Sequence, residues 1–311
     1  TMTDPRSGQK VDLKTLEGDP HKFLGCVMTY HNKPKDHMDF LKIKLTSKLE
    51  NLDMTVVRAE YKVAVYTRYA LPSMRYHLTV HNLHKTHLEE LDMVAQKYLK
   101  RWLGIPSKGS TSLGIFSPLL LAIKPVSQVY LEGHLGAYIN SKLVADLDTK
   151  KALSCAEERE GEWVHKSSTI NECKEIFEEM KDETECFIPT PENTNTFAAT
   201  VRVEKPKIMA AAKKKVSDKF NKKSAEAAAQ LGFQEQMLTL MEEEDQDISW
   251  KGTIYRVPRG VMAWAVRAGT NTLATPDNLA RWGKQVDTTC SMVGCTSPCN
   301  LGHLLSCCNK S

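Results

Sequence analysis

Between Leu88 and Trp102 the apolar residues Leu88, Leu91, Val94, Ala95, Tyr98, Leu99 and Trp102 recur at steps of three and four. An α-helix gathers that spacing onto one face, so the stretch predicts a helix whose stripe packs on other apolar surface. Gly104 and Pro106 end it, the one by tolerating a left-handed backbone and the other by lacking an amide. The same period runs from Met38, where Leu41, Leu45, Leu49 and Leu52 form a stripe among Lys42, Lys44 and Lys48. Tyr61, Val65 and Tyr69 step by four and predict a helix from Arg58 to Ala70, after which Pro72 fits the first turn of a short segment. Short connections between these helices predict a compact antiparallel bundle over residues 38–106.

With 311 residues and 41% hydrophobic side chains, the chain has apolar material for more than one domain. Its start is turn-rich, and Phe23 to Met28 reads as one strand entering a hairpin, the tail of a sheet domain whose other strands precede it. After the bundle come a helix opening near Ser117-Pro118 and another carrying Val129, Leu135, Tyr138, Ile139 and Leu143. Glu157 to Glu185 is strongly acidic and reads as solvated surface, and Ile188-Pro189-Thr190-Pro191 with Asn193 and Asn195 reads as a linker. From Ile208 a long helix steps through Ala212, Val216 and Phe220 toward Leu231, with eight lysines against one aspartate between Lys205 and Lys223. A further helix ends in Glu242-Glu243-Glu244-Asp245, and Thr275-Pro276 supplies a cap and first-turn proline for a helix from Asp277 to Trp282. The longest aliphatic run, Leu119 to Ile123, is far below the roughly 20 residues that a spanning helix needs. With no apolar signal core at the start, the expected location is intracellular, nuclear or cytoplasmic.

Five of the nine cysteines fall after residue 289, beside His303. Thiolates a few residues apart next to one histidine are the ligand set of a tetrahedral zinc site, and the clustering favours reduced thiols. The preferred set is Cys290, Cys295, His303 and Cys308, with Cys307 as a substitute for Cys308. A second set, Cys295, Cys299, His303 and Cys307, steps by four, but Pro298 interrupts the helix it would need. The bland alternative is a decayed element whose cysteines bind nothing. His77, His81, His84 and His87 straddle a break at Asn82 with no cysteine near, which reads as phosphate contact or plain exposure rather than as a metal site.

Tyr61 to Pro106, with Tyr69-Ala70-Leu71-Pro72-Ser73-Met74-Arg75-Tyr76, Thr86-His87-Leu88 and Trp102-Leu103-Gly104-Ile105-Pro106, resembles the thumb of reverse transcriptases from non-long-terminal-repeat retrotransposons. Lys22-Phe23-Leu24-Gly25 is similar to that family's primer grip, and Asn271 to Trp282 resembles the run into its zinc knuckle. The knuckle reads Cys-x2-Cys-x7-His-x4-Cys in the subgroup with a restriction-like endonuclease. Here Cys290-x4-Cys295-x7-His303-x4-Cys308 matches it except for a first gap two residues wider. The Tyr-x-Asp-Asp pattern that holds two metal ions in the family's palm occurs nowhere in the chain, and no endonuclease follows the knuckle.

The resemblance implies a mostly α fold with four parts: residues 1–37 as the end of a palm with a short primer-grip hairpin, 38–106 as a three-helix thumb bundle, 107–247 as a helical linker, and 248–311 as arginine- and aromatic-rich helices with a small zinc knuckle. It implies an RNA-directed DNA polymerase fragment that binds RNA template and DNA primer, needs structural zinc, and does not polymerise alone, magnesium belonging to the missing palm. Phe23, Leu24 and Gly25 take the primer-grip role. Lys62, Arg68, Arg75, Lys97, Lys100 and Arg101 take the phosphate contacts of the thumb, and Lys213, Lys214, Lys215, Arg256, Arg259, Arg267 and Arg281 those of linker and knuckle. Arg256, Arg259 and Arg267 lie among Trp250, Tyr255 and Trp264, residues that read as core or as base-stacking platforms. The alternative reading is a domesticated zinc-dependent nucleic-acid-binding or adaptor protein, or a non-functional relic.

Overall fold

A computed structural model describes residues 2–3, 10–11, 21–23, 26–28, 34–106, 115–116, 121–144, 146–162, 169–183, 194–231 and 256–304. The described residues are mostly helical, as the periodicity predicts. Strands are limited to the antiparallel pairs β1 (Met2–Thr3) with β2 (Lys10–Val11), and β3 (His21–Phe23) with β4 (Cys26–Met28). The chain divides into two compact units, Thr1–Glu50 with Ala70–Val94 and Val126–Val216, and Asn51–Tyr69 with Ala95–Pro125 and Ser217–Ser311.

Residues 34–103 hold four α-helices, α1 (Pro34–Met54), α2 (Ala59–Val65), α3 (Leu71–Val80) and α4 (Lys85–Leu103), with a π-turn at Tyr66–Ala70. Leu41, Leu45, Leu49 and Leu52 are buried, as are Leu91, Ala95, Leu99 and Trp102 of α4. The stripe Tyr61, Val65, Tyr69 is exposed instead, and the buried face of α2 runs through Val63 into Tyr66 of the π-turn. Two apolar stripes were available there. Both hold valine and tyrosine, and the one that ends in Tyr66 took the core.

In the first unit α5 (Val126–Lys142) packs against α3, α6 (Leu147–Glu162) and α7 (Thr169–Glu183). Its buried residues cover almost its whole circumference, including Val126, Val129, Tyr130, Leu131, Leu135, Tyr138 and Ile139, which marks a central helix rather than a half-solvated one. Gly133 lets α3 come close, since a Cβ there would lie 2.3 Å from Thr79 Oγ1. The buried Tyr130 hydroxyl accepts from Leu83 N–H at 3.1 Å and bonds Thr169 Oγ1 at 3.0 Å, so that burial leaves it satisfied. Tyr138 donates to Glu157 at 2.7 Å, and burial with that carboxylate beside it raises the phenol's pKa. Within the acidic segment, α7 buries Cys173, Ile176, Phe177 and Met180 on one stripe while Glu175, Glu178 and Glu179 face water.

Helix α8 (Thr194–Ala229) begins well before Ile208 and carries Pro206 inside it, and Ile208, Ala212 and Val216 are buried as their spacing predicts. Asn195 is therefore helical, not linker. Ser117-Pro118, Ile188 to Pro191, Glu242 to Asp245, Trp250 and Tyr255 lie outside the described residues. No helix among the described residues is long and apolar enough to cross a membrane.

Candidate metal centre

Two short helices lead into the cluster, α9 (Arg259–Gly269) and α10 (Pro276–Arg281). Helix α9 closes with Asn271 in the left-handed region (φ 49), Asn271 N–H donating to Ala268 O and Thr272 N–H to Arg267 O. That is the Schellman closure, in which asparagine can replace glycine. Thr275 caps α10 by accepting from Asn278 N–H, and Asn278, 1% exposed, donates through Nδ2 to Leu273 O at 2.8 Å. The segment is held by caps and buried amides more than by apolar bulk.

After α10 the chain makes a narrow two-armed turn. Cys290 N–H donates to Ser297 O at 3.0 Å, Cys299 N–H donates to Thr288 O at 2.7 Å, and Thr289 bridges Pro298 antiparallel. Between the arms, Cys295 N–H donates to Met292 O at 3.0 Å, and Gly294 takes φ 76, a conformation glycine adopts without strain. This turn absorbs the two extra residues of the widened gap and brings Cys295 back beside Cys290. Asn300 then accepts His303 N–H through Oδ1 at 2.8 Å, capping a short helical turn that aims His303 at the thiols.

The ligand atoms of Cys290, Cys295 and His303 all lie within 4.8 Å of one another, with Cys290 and His303 buried and Cys295 half-buried. Cys295 Sγ and His303 Nε2 are 3.4 Å apart. In a tetrahedral site with Zn–S of about 2.3 Å and Zn–N of about 2.0–2.1 Å, the edge between sulfur and nitrogen is about 3.5 Å. The donor set therefore fits zinc in both chemistry and spacing. Cys299 is buried but stands outside this group, its carbonyl accepting Asp277 N–H at 3.5 Å, so the set stepping by four is not assembled. Cys307 and Cys308 lie outside the described residues.

The other sequence-predicted residues differ in exposure and partners. Phe23 lies in β3, paired with Cys26, and Leu24 and Gly25 fall outside the described residues. Arg68, Arg75, Lys97, Lys213, Lys214, Arg256, Arg259 and Arg281 are exposed. Lys62 is 9% exposed and donates to Asp53 O at 2.5 Å, Arg101 pairs with the Asp53 carboxylate, and Arg267 Nε donates to Gly104 O at 2.6 Å, closing the end of α4. Burial lowers the Lys100 pKa, and Lys215 approaches Glu179 at 3.9 Å. Trp264 and Trp282 are more than two-fifths exposed, so they are not core.

His77 and His81 are buried, which corrects their reading as exposed phosphate contacts: they join His37 and Phe40 of α1 in a ring-packed cluster. His81 stacks on His37 with centroids 4.0 Å apart, and burial, then the neighbouring His37 and His77, push its pKa down to about 4. Sequence reasoning missed Asn300, although an asparagine three residues before a ligand histidine has the spacing of a cap. Among known proteins, no family model matches the chain and no curated protein matches it.

Proposed function

We propose that this chain is a nucleic-acid-binding portion of a retrotransposon reverse transcriptase, its C-terminal residues folded as a zinc knuckle. The observation that carries the reading is the convergence of Cys290, Cys295 and His303 at the spacing of a tetrahedral zinc site. These residues would hold the ion with one ligand from the segment that follows, Cys308 or Cys307. The metal supplies structure, tying the two arms of the turn to the helical turn of His303 where little apolar surface is buried.

Binding of template and primer falls to the exposed cations Arg68, Arg75 and Lys97, with Lys213, Lys214, Arg256, Arg259 and Arg281, whose charge would meet phosphates without choosing a sequence. With no Tyr-x-Asp-Asp pattern, the chain does not polymerise alone. Two measurements test the proposal on purified protein. Affinity for an RNA–DNA duplex should fall steeply between low and high salt, and a salt-independent affinity sinks the phosphate reading. Primer extension with magnesium and nucleotides should be absent, and processive synthesis would overturn the assignment as a non-catalytic portion.

A further inference from the structure

Within the first unit, α1 meets the end of α3 through imidazole rings. His37 lies in the first turn of α1, and His81 closes α3 in an extended conformation (φ −99, ψ 134). The two rings stack with centroids 4.0 Å apart and planes 22° from parallel. Both residues are buried, at 2% and 3% exposure, and His81 Nε2 has no hydrogen-bond partner among the described residues. One turn earlier on α3, the buried His77 sets its Nε2 against Lys44 Nζ of α1. Phe40, between the two contacts on α1, turns its ring edge-on to both His77 and His81.

Both contacts require neutral imidazole. A lysine ammonium only donates, so His77 Nε2 must accept, and a protonated ring has no lone pair with which to do so. Two stacked histidines shielded from water resist becoming cations together. The helix dipole adds to this at His37, because the first turn of a helix disfavours positive charge. The charges acting on His81 are those of His37 and His77, both basic. From α5, His134 reaches the carbonyls of Leu78 and His81 through Nε2, at 3.1 and 3.3 Å, and burial holds its pKa down as well.

The two sides of this seam are unequally anchored. Helix α3 is fixed by α5, where His134 binds its last turn and Gly133 lets the helices close, whereas His37 stands in a helix end, which frays readily. We propose that the seam is an acid-operated latch: protonation of its imidazoles frees the first two turns of α1, Pro34 to Leu41, while α3 and α5 stay packed. Opening uncovers Met38 and Leu41, which are 3% and 0% exposed in the closed form. The open form takes the proton that the closed form resists, so closure is complete above about pH 6.5 and weakens toward pH 4. The inference does not involve the metal.

The test is hydrogen exchange of the full chain read by mass spectrometry, corrected for intrinsic rates, from about pH 7 down to about pH 4.5. Protection of residues 34–41 should fall about tenfold or more across that range while the centre of α5 holds. His81→Phe keeps a ring on His37 and takes no proton, so it should reduce the loss. Adding His77→Gln, whose amide oxygen still accepts from Lys44, should abolish it. His37→Phe, made from the other side of the stack, should reduce the loss as His81→Phe does, so the proposal does not rest on one variant folding. His303→Ala should lose protection at residues 34–41 like the wild-type chain, which separates the latch from acid release of a metal. Unchanged protection at residues 34–41 in the wild-type chain, an equal loss in α5, or a double variant as acid-sensitive as wild type overturns the proposal.

Discussion

Helix α5 and the segment from Thr270 to Leu304 reach order by opposite routes. Around α5 order comes from apolar burial, with Leu135 1% and Ile139 0% exposed and helices α3, α6 and α7 packed on it. The cysteine segment buries Thr270, Thr272, Thr275 and Asn278 instead, and is closed by caps, a narrow turn and three converging ligand atoms. Area burial alone can hold the first, whereas the second buries few large apolar side chains, and an ion on its three ligand atoms would add a tie that burial does not supply. Each route should therefore fail separately.

The largest effect should come from removing the metal. Structural zinc contributes on the order of 10 kcal/mol to such modules. His303→Ala or a chelator should abolish bound zinc, measured by elemental analysis, and erase amide protection around Cys290 and Cys295 while most helical circular dichroism survives. Unchanged zinc in His303→Ala removes the site. The converse break is Leu135→Ala, which should lower unfolding free energy by about 2–5 kcal/mol in urea melts and leave zinc stoichiometry intact.

Gly133→Ala is a finer probe of the apolar side, because its Cβ would meet Thr79 Oγ1 at 2.3 Å. A loss of about 1–3 kcal/mol is expected, partly recovered by adding Thr79→Ala; no recovery means that Thr79 is not the obstacle. On the polar side, Thr275→Ala removes the cap of α10 and should cost about 1 kcal/mol, seen as faster amide exchange at Asn278.

Acid should also loosen the fold. With the His81 pKa lowered from 6.5 to about 4 in the fold, the unfolded chain takes up the proton first as pH falls. Stability is thus complete above about pH 6.5 and declines toward pH 4, and His81→Leu should flatten that slope in urea melts. His37 and His77 beside it add repulsion against the same proton.

How much was legible in the sequence follows the same division. Leucine stripes in α1 and α4 are unambiguous because leucine has little reason to recur at that period except burial, and they are buried. Tyr61, Val65 and Tyr69 misled because Val63 and Tyr66 offer a second apolar face of the same residue types, and spacing alone does not rank the two. The stripe of Cys173, Ile176, Phe177 and Met180 was hidden by the charge of its neighbours, although acids on the outer face are what an amphipathic helix requires. At the cysteines the ligand types were readable from residue chemistry. The widened gap became interpretable only through the turn at Gly294, because turn geometry depends on arms that pair across it.

The closeness of Cys290 and Cys295 carries a consequence for oxidation. Two sulfurs within 4.8 Å of each other need little motion to form a disulfide once one is oxidised to a sulfenic acid. Zinc engages the same electron pairs, so metal and oxidant compete for one pair of atoms, and a disulfide would expel the ion while still tying the arms together. If the segment takes zinc, its occupancy would read out its thiol redox history, and the same polypeptide would differ in metal content between reducing and oxidising surroundings.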